Sequence, residues 1–291
     1  MNFKIALAQI DCRLADLEAN LQTHLELAAA AKQRDAQLIV FPELSLTGYH
    51  LQERVAEVAL TEQSKFLEPL REQSRRIDIL IGLVLESPDH RVYNSALYFS
   101  GGKILRRHDK VYLPTYGAFE EGKHFARGDG LAAFENTFSR CGILICEENW
   151  HPSAAHLLWI DGAKIFFSIH CSSAGGASPK NPPVNEPSTS PGACRLLSQF
   201  YARLFGAYLV FVNRAGDEGP FQFWGGSQIV NPFGETEATA KYGETDLLIH
   251  TLDLEKIREA RLKMPLRRDE DIVLIQRELS RVTQTAGPGR L

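Results

Sequence analysis

The sequence contains no apolar run approaching the roughly 20 residues that a membrane-spanning helix requires, so a bilayer span is not expected. It also lacks a charge surplus. Its 32 Lys and Arg stand against 36 Asp and Glu, a formal net charge of −4, which leaves no basic footprint for nucleic acid. The first residues, Met1 to Ile10, alternate like a strand and do not read as a secretory leader. Five cysteines, at 12, 141, 146, 171 and 194, are odd in number and irregularly spaced. That argues against a disulfide framework and for a reducing, cytoplasmic setting. Gly101-Gly102 and Gly225-Gly226 lack the flanking spacing of a phosphate loop or dinucleotide fingerprint. His151 and His156 are five apart, hence on different helix faces, so no zinc pair is expected there. Neither a metal nor a cofactor is expected.

What is present is strand–helix alternation. A strand over about 3–10 leads to a helix from Leu17 to Lys32 with apolar residues at helical spacing, then a strand at 37–41. A helix follows from about Thr61 to Arg76, and then a buried strand from Ile79 to Leu85. The run from Tyr93 to Phe99 pairs with the strand beginning at Lys103 across the turn Ser100-Gly101-Gly102. Beyond residue 140 the pattern predicts strands at 141–146, 164–169, 208–212, 227–230 and 247–252, and helices from Pro152, Ala193 and Leu254. No repeat of fixed period and no linker interrupts it. We therefore expect one α/β domain over 1–282 and a short tail over 283–291, a size at which a single large core can be buried.

Three polar residues occupy equivalent places in this pattern. Glu43 follows the strand-like run ending at Phe41 and Pro42, Lys110 lies just past the strand beginning at Lys103, and Cys146 ends the run Cys141-Gly-Ile-Leu-Ile. A carboxylate, an ammonium and a thiol thus project from the carboxyl ends of three different strands, the edge where α/β proteins bind ligands. A thiol at a strand-to-helix turn faces the positive end of a helix, which favours its thiolate. The chemistry fits nucleophilic acyl transfer, with Glu43 taking the thiol proton, Cys146 attacking a carbonyl and Lys110 stabilising the oxyanion.

These residues fall in blocks that resemble the signatures of the nitrilase superfamily, the carbon–nitrogen hydrolases. The blocks are Phe41-Pro-Glu43-Leu-Ser-Leu-Thr-Gly-Tyr49, the segment Lys110 to Glu121, Gly142-Ile-Leu-Ile-Cys146-Glu147, and the late segment Gly225 to Gly234. The resemblance runs from Ile5 to about Asp269. It implies an αββα sandwich of two stacked sheets, subunits associating across a helical face as a homodimer or larger homo-oligomer, and no cofactor. It implies Glu43 as general base, Lys110 as oxyanion stabiliser and Cys146 as nucleophile. Glu121 aligns with a second glutamate that helps hold lysine and substrate, with Glu120 one residue away. Cys171 is placed near the substrate pocket as a wall residue. Tyr49, Tyr116, Phe119, Trp150 and Trp224 either line that pocket or are core aromatics, and Glu147 joins them beside the nucleophile.

The expected reaction is hydrolysis of a non-peptide C–N bond in a small amide through a thioester. N-carbamoyl amine hydrolysis, nitrile hydrolysis, acyl transfer to an amine, and a silent binding protein on the same fold are the alternatives. The run Cys146-Glu-Glu-Asn-Trp150 looks closest to the glutaminase part of glutamine-dependent NAD synthetases, but 291 residues leave no room for the ATP-using domain such enzymes carry, so a free-standing amidase is the expectation. Glu147 stands where true nitrilases carry Trp. Glu120, Glu121, Glu147 and Glu148 crowd the site-forming segments, which favours a neutral or cationic substrate unless Lys180 or Arg195 closes in. Lys180 belongs to a stretch, 172–192, rich in Pro, Ser and Gly that cannot be regular structure and follows the strand beside the nucleophile helix, and Arg195 lies three residues beyond it. The stretch reads as a lid.

Overall fold

The computed structural model describes residues 2–286 and resolves into two stacked mixed β-sheets with helices on both outer faces. In chain order the strands are β1 (Asn2–Gln9), β2 (Leu38–Val40), β3 (Asp78–Glu86), β4 (Val92–Ser100), β5 (Lys103–Asp109), β6 (Phe134–Glu135), β7 (Arg140–Ile145), β8 (Ile165–His170), β9 (Tyr208–Asn213), β10 (Ala215–Glu218), β11 (Phe221–Trp224), β12 (Gln228–Val230), β13 (Thr236–Thr239) and β14 (Asp246–Asp253). The first sheet runs β14-β1-β2-β3-β4-β5 and the second β13-β12-β9-β8-β7-β6, while β10 and β11 form a separate hairpin. β1, β2 and β3 are parallel, as are β7, β8 and β9.

Alternation along each strand explains the layering. Ile5, Leu7, Leu38, Val40 and Leu80 face Ile143, Ile145, Phe167, Ile169, Val210 and Val212 in the core between the sheets. The intervening residues Ala6, Ala8, Ile39, Ile79 and Ile81 turn outward, under the helix α1 (Leu17–Gln33) and the short α2 (Glu68–Gln73). Leu144, Phe166, Leu209 and Phe211 likewise lie under α4 (Pro152–Ile160) and α5 (Ser190–Phe205), α3 (Glu121–His124) being a single turn near the site. Strands buried on both faces read as continuous apolar runs because each face has its own partner layer.

Several expected boundaries change. The helix foreseen over 61–76 is regular only from Glu68, because Pro69 fits the first turn of a helix and Ser64 caps a separate 3₁₀ turn, Lys65–Leu67, before it. The strands β6 and β13 and the first strand of the hairpin β10–β11 carry too few apolar residues to show in the pattern, and β11, only four residues long, is too short to mark itself. The helix α6 (Glu255–Lys263) matches the expected last helix, but α7 (Leu266–Asp269) and α8 (Ile272–Ala286) follow it. The first residues of the expected 283–291 tail are therefore helical, and the rest of it lies outside the described residues.

Glycine at one position decides where a site residue sits. The segment after β2 crosses β3 so closely that a Cβ on Gly82 would lie 2.3 Å from the Leu44 nitrogen and 2.6 Å from the Pro42 oxygen. Leu46 N–H donates to the Gly82 carbonyl at 3.0 Å and Phe41 N–H to Leu80 at 2.8 Å. Only a residue without a side chain allows this approach, and the approach is what fixes Glu43 over the end of the sheet.

Candidate active site

The edge at which β2, β5 and β7 end brings Glu43, Lys110 and Cys146 together from both sheets. Lys110 follows β5 directly, and its backbone is held on both sides, with its N–H donating to Asn94 at 2.9 Å and its carbonyl accepting from Gly128 at 2.8 Å. Its side chain is completely buried. Nζ donates to Glu43 Oε1 at 2.7 Å and to Glu121 Oε1 at 2.8 Å. Glu43 is further fixed by Asn94 Nδ2 at 2.8 Å on Oε1 and by the Cys171 backbone N–H at 2.8 Å on Oε2. Glu121 accepts from the Tyr49 hydroxyl at 2.7 Å, while its Oε2 has no hydrogen-bond partner among the described residues. Glu120 is exposed and pairs with Lys123, so it is Glu121 that meets the lysine.

Cys146 begins a 3₁₀ turn, Cys146–Trp150, that precedes α4, and its φ is +45°, in the left-handed region. A β-carbon there costs on the order of 1 kcal/mol or more, so the surroundings must hold the turn. The result is a half-buried thiol presented at a cavity of about 620 Å³.

Electrostatics in this dry site follow from one cation facing two carboxylates. Burial alone would push the Lys110 ammonium down, but Glu121 and Glu43 outweigh it and hold the pKa well above its ordinary value. Burial pushes Glu121 up from 4.5 to about 7; Lys110 opposes the rise and Glu43 adds to it. Burial and then the Glu43 charge drive the Cys146 thiol well above its usual value, with Lys110 only partly opposing. The expected activation by a helix end alone therefore loses to desolvation. A thiolate forms here only as a base removes the proton.

The cavity wall is made by Pro114, Tyr116, Phe119, Glu147, Trp150 and Phe221 together with the 172–192 stretch, which contributes Ser172, Ser173, Gly175, Gly176 and Pro187 to Ser190. The stretch is pinned near its ends, where the Ser172 and Ser190 hydroxyls lie 3.0 Å apart. Of the residues assigned to the pocket from sequence, Tyr116, Phe119, Glu147 and Trp150 line it. Three do not. Tyr49 lies behind the wall with its hydroxyl on Glu121. Cys171 is buried under Glu43, its thiol 3.1 Å from the Glu43 carbonyl. Trp224 is a core residue whose indole N–H donates to Ser172 Oγ at 3.1 Å. The two cations suspected of closing in also stay away, since Lys180 lies 3.8 Å from Glu244 and Arg195 donates to Asn185 at 2.5 Å.

Sequence reasoning passed over Asn94 and Phe221, and read Glu148 only as one of the acids crowding the site. Asn94 sits mid-strand in β4 with no motif to mark it. Phe221 arrives on the unforeseen hairpin and stacks on Phe119, with ring centroids 5.7 Å apart. Glu148 sits three residues past Ile145, the residue that caps the turn, but Ile145 is not a capping residue type, so the usual Ser/Thr-x-x-Glu signal is absent.

A profile of the carbon–nitrogen hydrolase family matches residues 4–262. The chain belongs to this family, hydrolases that act on carbon–nitrogen bonds. It is 28% identical over 268 residues to the glutamine-dependent NAD(+) synthetase of Thermotoga maritima, covering 91% of this chain but only 44% of that protein. The chain thus spans less than half the length of that relative. It is also 28% identical over 273 residues to N-carbamoylputrescine amidase of Solanum tuberosum, covering 88% of each. Among solved structures it resembles a doubly substituted amidase of Nesterenkonia sp. AN1 in complex with acrylamide, with a TM-score of 0.73, 25% identity, and coverage of 92% and 97%.

The raised Glu121 pKa has a consequence for stability. An acid whose folded pKa exceeds its unfolded value binds more protons when folded, so its contribution is greatest below about 4.5 and is lost as pH rises to about 7. The difference in Tm, wild type minus Glu121→Gln, should therefore decline across that window. A difference that grows with pH contradicts the assignment.

Proposed function

We propose that this chain hydrolyses a small, neutral or cationic amide through a thioester on Cys146. The observation that carries the reading is the buried contact of Lys110 with both Glu43 and Glu121 beside a thiol that opens onto the cavity. Glu43 takes the Sγ proton as sulfur bonds to the amide carbon, and the carbonyl electron pair moves onto oxygen. Lys110, held protonated, stabilises that oxyanion without changing charge. Collapse breaks the C–N bond, and the leaving nitrogen takes the proton from Glu43. Water then attacks the thioester with Glu43 again as base, releasing the acid and returning the proton to sulfur. Glu121 holds Lys110 in place, and its Oε2 has no hydrogen-bond partner among the described residues. The amidase relative and the acrylamide-bound neighbour support an amide over a nitrile. An N-carbamoyl amine remains a second reading because the potato relative is matched over most of both chains, and carbon dioxide release would mark it.

With a slow amide substrate, mass spectrometry should find an acyl adduct on the peptide carrying Cys146, and Cys146→Ala should lose turnover by a factor on the order of 10⁶. An adduct on Cys171 or Cys141 instead overturns the mechanism.

Substrate charge is read from the wall. Among the described residues no Lys or Arg lines the cavity, whereas Glu147 does, its Oε2 accepting from Tyr116 at 2.8 Å and its Oε1 lying 3.7 Å from His151 Nε2. A charge-assisted hydrogen bond contributes about 1.5–3 kcal/mol, so Glu147→Gln should raise KM for a cationic amide about tenfold or more and leave neutral amides nearly unchanged. A wild-type kcat/KM for an anionic monoamide tenfold above every neutral amide contradicts this.

We also propose that the chain assembles at least as a homodimer. Leu157 on α4 and Leu196 and Phe200 on α5 are large apolar side chains exposed on the outer helical face. An isologous contact would cover them. Sedimentation at micromolar concentration should show a species larger than 32.5 kDa; that mass alone contradicts assembly.

A further inference from the structure

We propose that Glu148 is a positioning residue that sets Cys146 and Lys110 in register across the gap between the two sheets. This rests on the reading of Cys146 as nucleophile and Lys110 as oxyanion stabiliser. Those two residues leave strands of different sheets, β7 and β5, which share no ladder. Side-chain packing alone would leave their separation to the fit of apolar surfaces. A fully buried carboxylate does more. Glu148 Oε2 accepts the Ile145 backbone N–H at 2.7 Å, at the residue just before the nucleophile. Its Oε1 accepts the Val111 N–H at 2.7 Å, at the residue just after the lysine. The same Oε2 lies 2.8 Å from His108 Nε2, two residues before the lysine.

An ordinary helix cap accounts for the Ile145 bond and for none of the others. The bonds to Val111 and His108 reach the other sheet, so one rigid carboxylate is tied to residues flanking both reacting groups. A carboxylate is an acceptor only, and a donor at each of these positions matches it. Glutamine keeps the shape but turns an N–H₂ towards one of these donors. That mismatch would shift one strand end against the other. Misplacement by about 1 Å can cost on the order of 100-fold in rate. The strained left-handed φ of Cys146 makes this turn sensitive to such a shift.

The test compares wild type, Glu148→Gln and His108→Leu, each checked for folding by thermal melting. His108→Leu removes one bond to the lysine strand and leaves the Ile145 bond intact. Kinetic constants are measured with the best amide of a panel, and the rate of Cys146 alkylation by chloroacetamide is read by mass spectrometry. Folded Glu148→Gln should lose about 100-fold in kcat with KM within about threefold, and should alkylate about tenfold more slowly. His108→Leu should lose about tenfold in kcat, and it decides the matter if Glu148→Gln does not fold. Folded variants whose kcat and alkylation rate stay within about threefold of wild type reduce Glu148 to a cap and overturn the proposal. Alkylation needs no turnover, so a wild type that cleaves no amide would sink the functional reading while the alkylation rates still judge Glu148.

Discussion

A single ammonium shared by two carboxylates, sealed from water, constrains everything around it. Lys110 meets Glu43 and Glu121 at contact distance with all three side chains almost wholly buried. Breaking such a pair by removing one partner costs about 3–5 kcal/mol, because a charge is left buried without compensation. The carboxylates outnumber the cation, and that excess has effects in both directions. It fixes the lysine as permanently charged, and it pushes a proton onto Glu121 near neutrality and keeps one on the Cys146 sulfur. Under the proposed mechanism such a resting site keeps Cys146 as a thiol, and the proton would leave as a carbonyl accepts the sulfur and Lys110 meets the new negative charge.

The fold exists to assemble that cluster from distant pieces of chain. Parallel strands in each sheet end at the same edge, so residues 43, 110 and 146 converge although they are far apart in sequence. Gly82 lets the Glu43 segment cross over β3, the backbone of Cys171 holds the outer oxygen of Glu43, and Asn94 holds the inner one. The cavity, in contrast, is closed largely by irregular chain, the 172–192 stretch and the β10–β11 hairpin. Family membership accordingly speaks to the bond that is cut, and these loops speak to the molecule that carries it.

The same division explains what the amino-acid sequence disclosed. Long apolar runs such as Ile79–Leu85 and Cys141–Ile145 marked the sheet strands, because burial on both faces demands apolar side chains at every position. Glu43, Lys110 and Cys146 stood out as polar residues at the ends of those runs. Tyr49, Cys171 and Trp224 were legible as neighbours of the site but not as to which side of the wall they occupy, since that depends on how loops fold over one another. Tyr49 and Cys171 turned out to support the carboxylates from behind. The roles of Asn94 and Glu148 were hidden for a different reason. Their roles consist of bonds to other strands and other sheets, and nothing in the local spacing of residues records those partners.

The charge arrangement of the cluster can be read directly from its protons. A titration by carbon-13 NMR of protein labelled at the glutamate carboxyl groups, compared between wild type and Glu121→Gln, follows each acid separately. The account predicts one buried carboxyl titrating near 7, absent from the variant. A spectrum in which every buried glutamate is already fully ionised at pH 5 would contradict it.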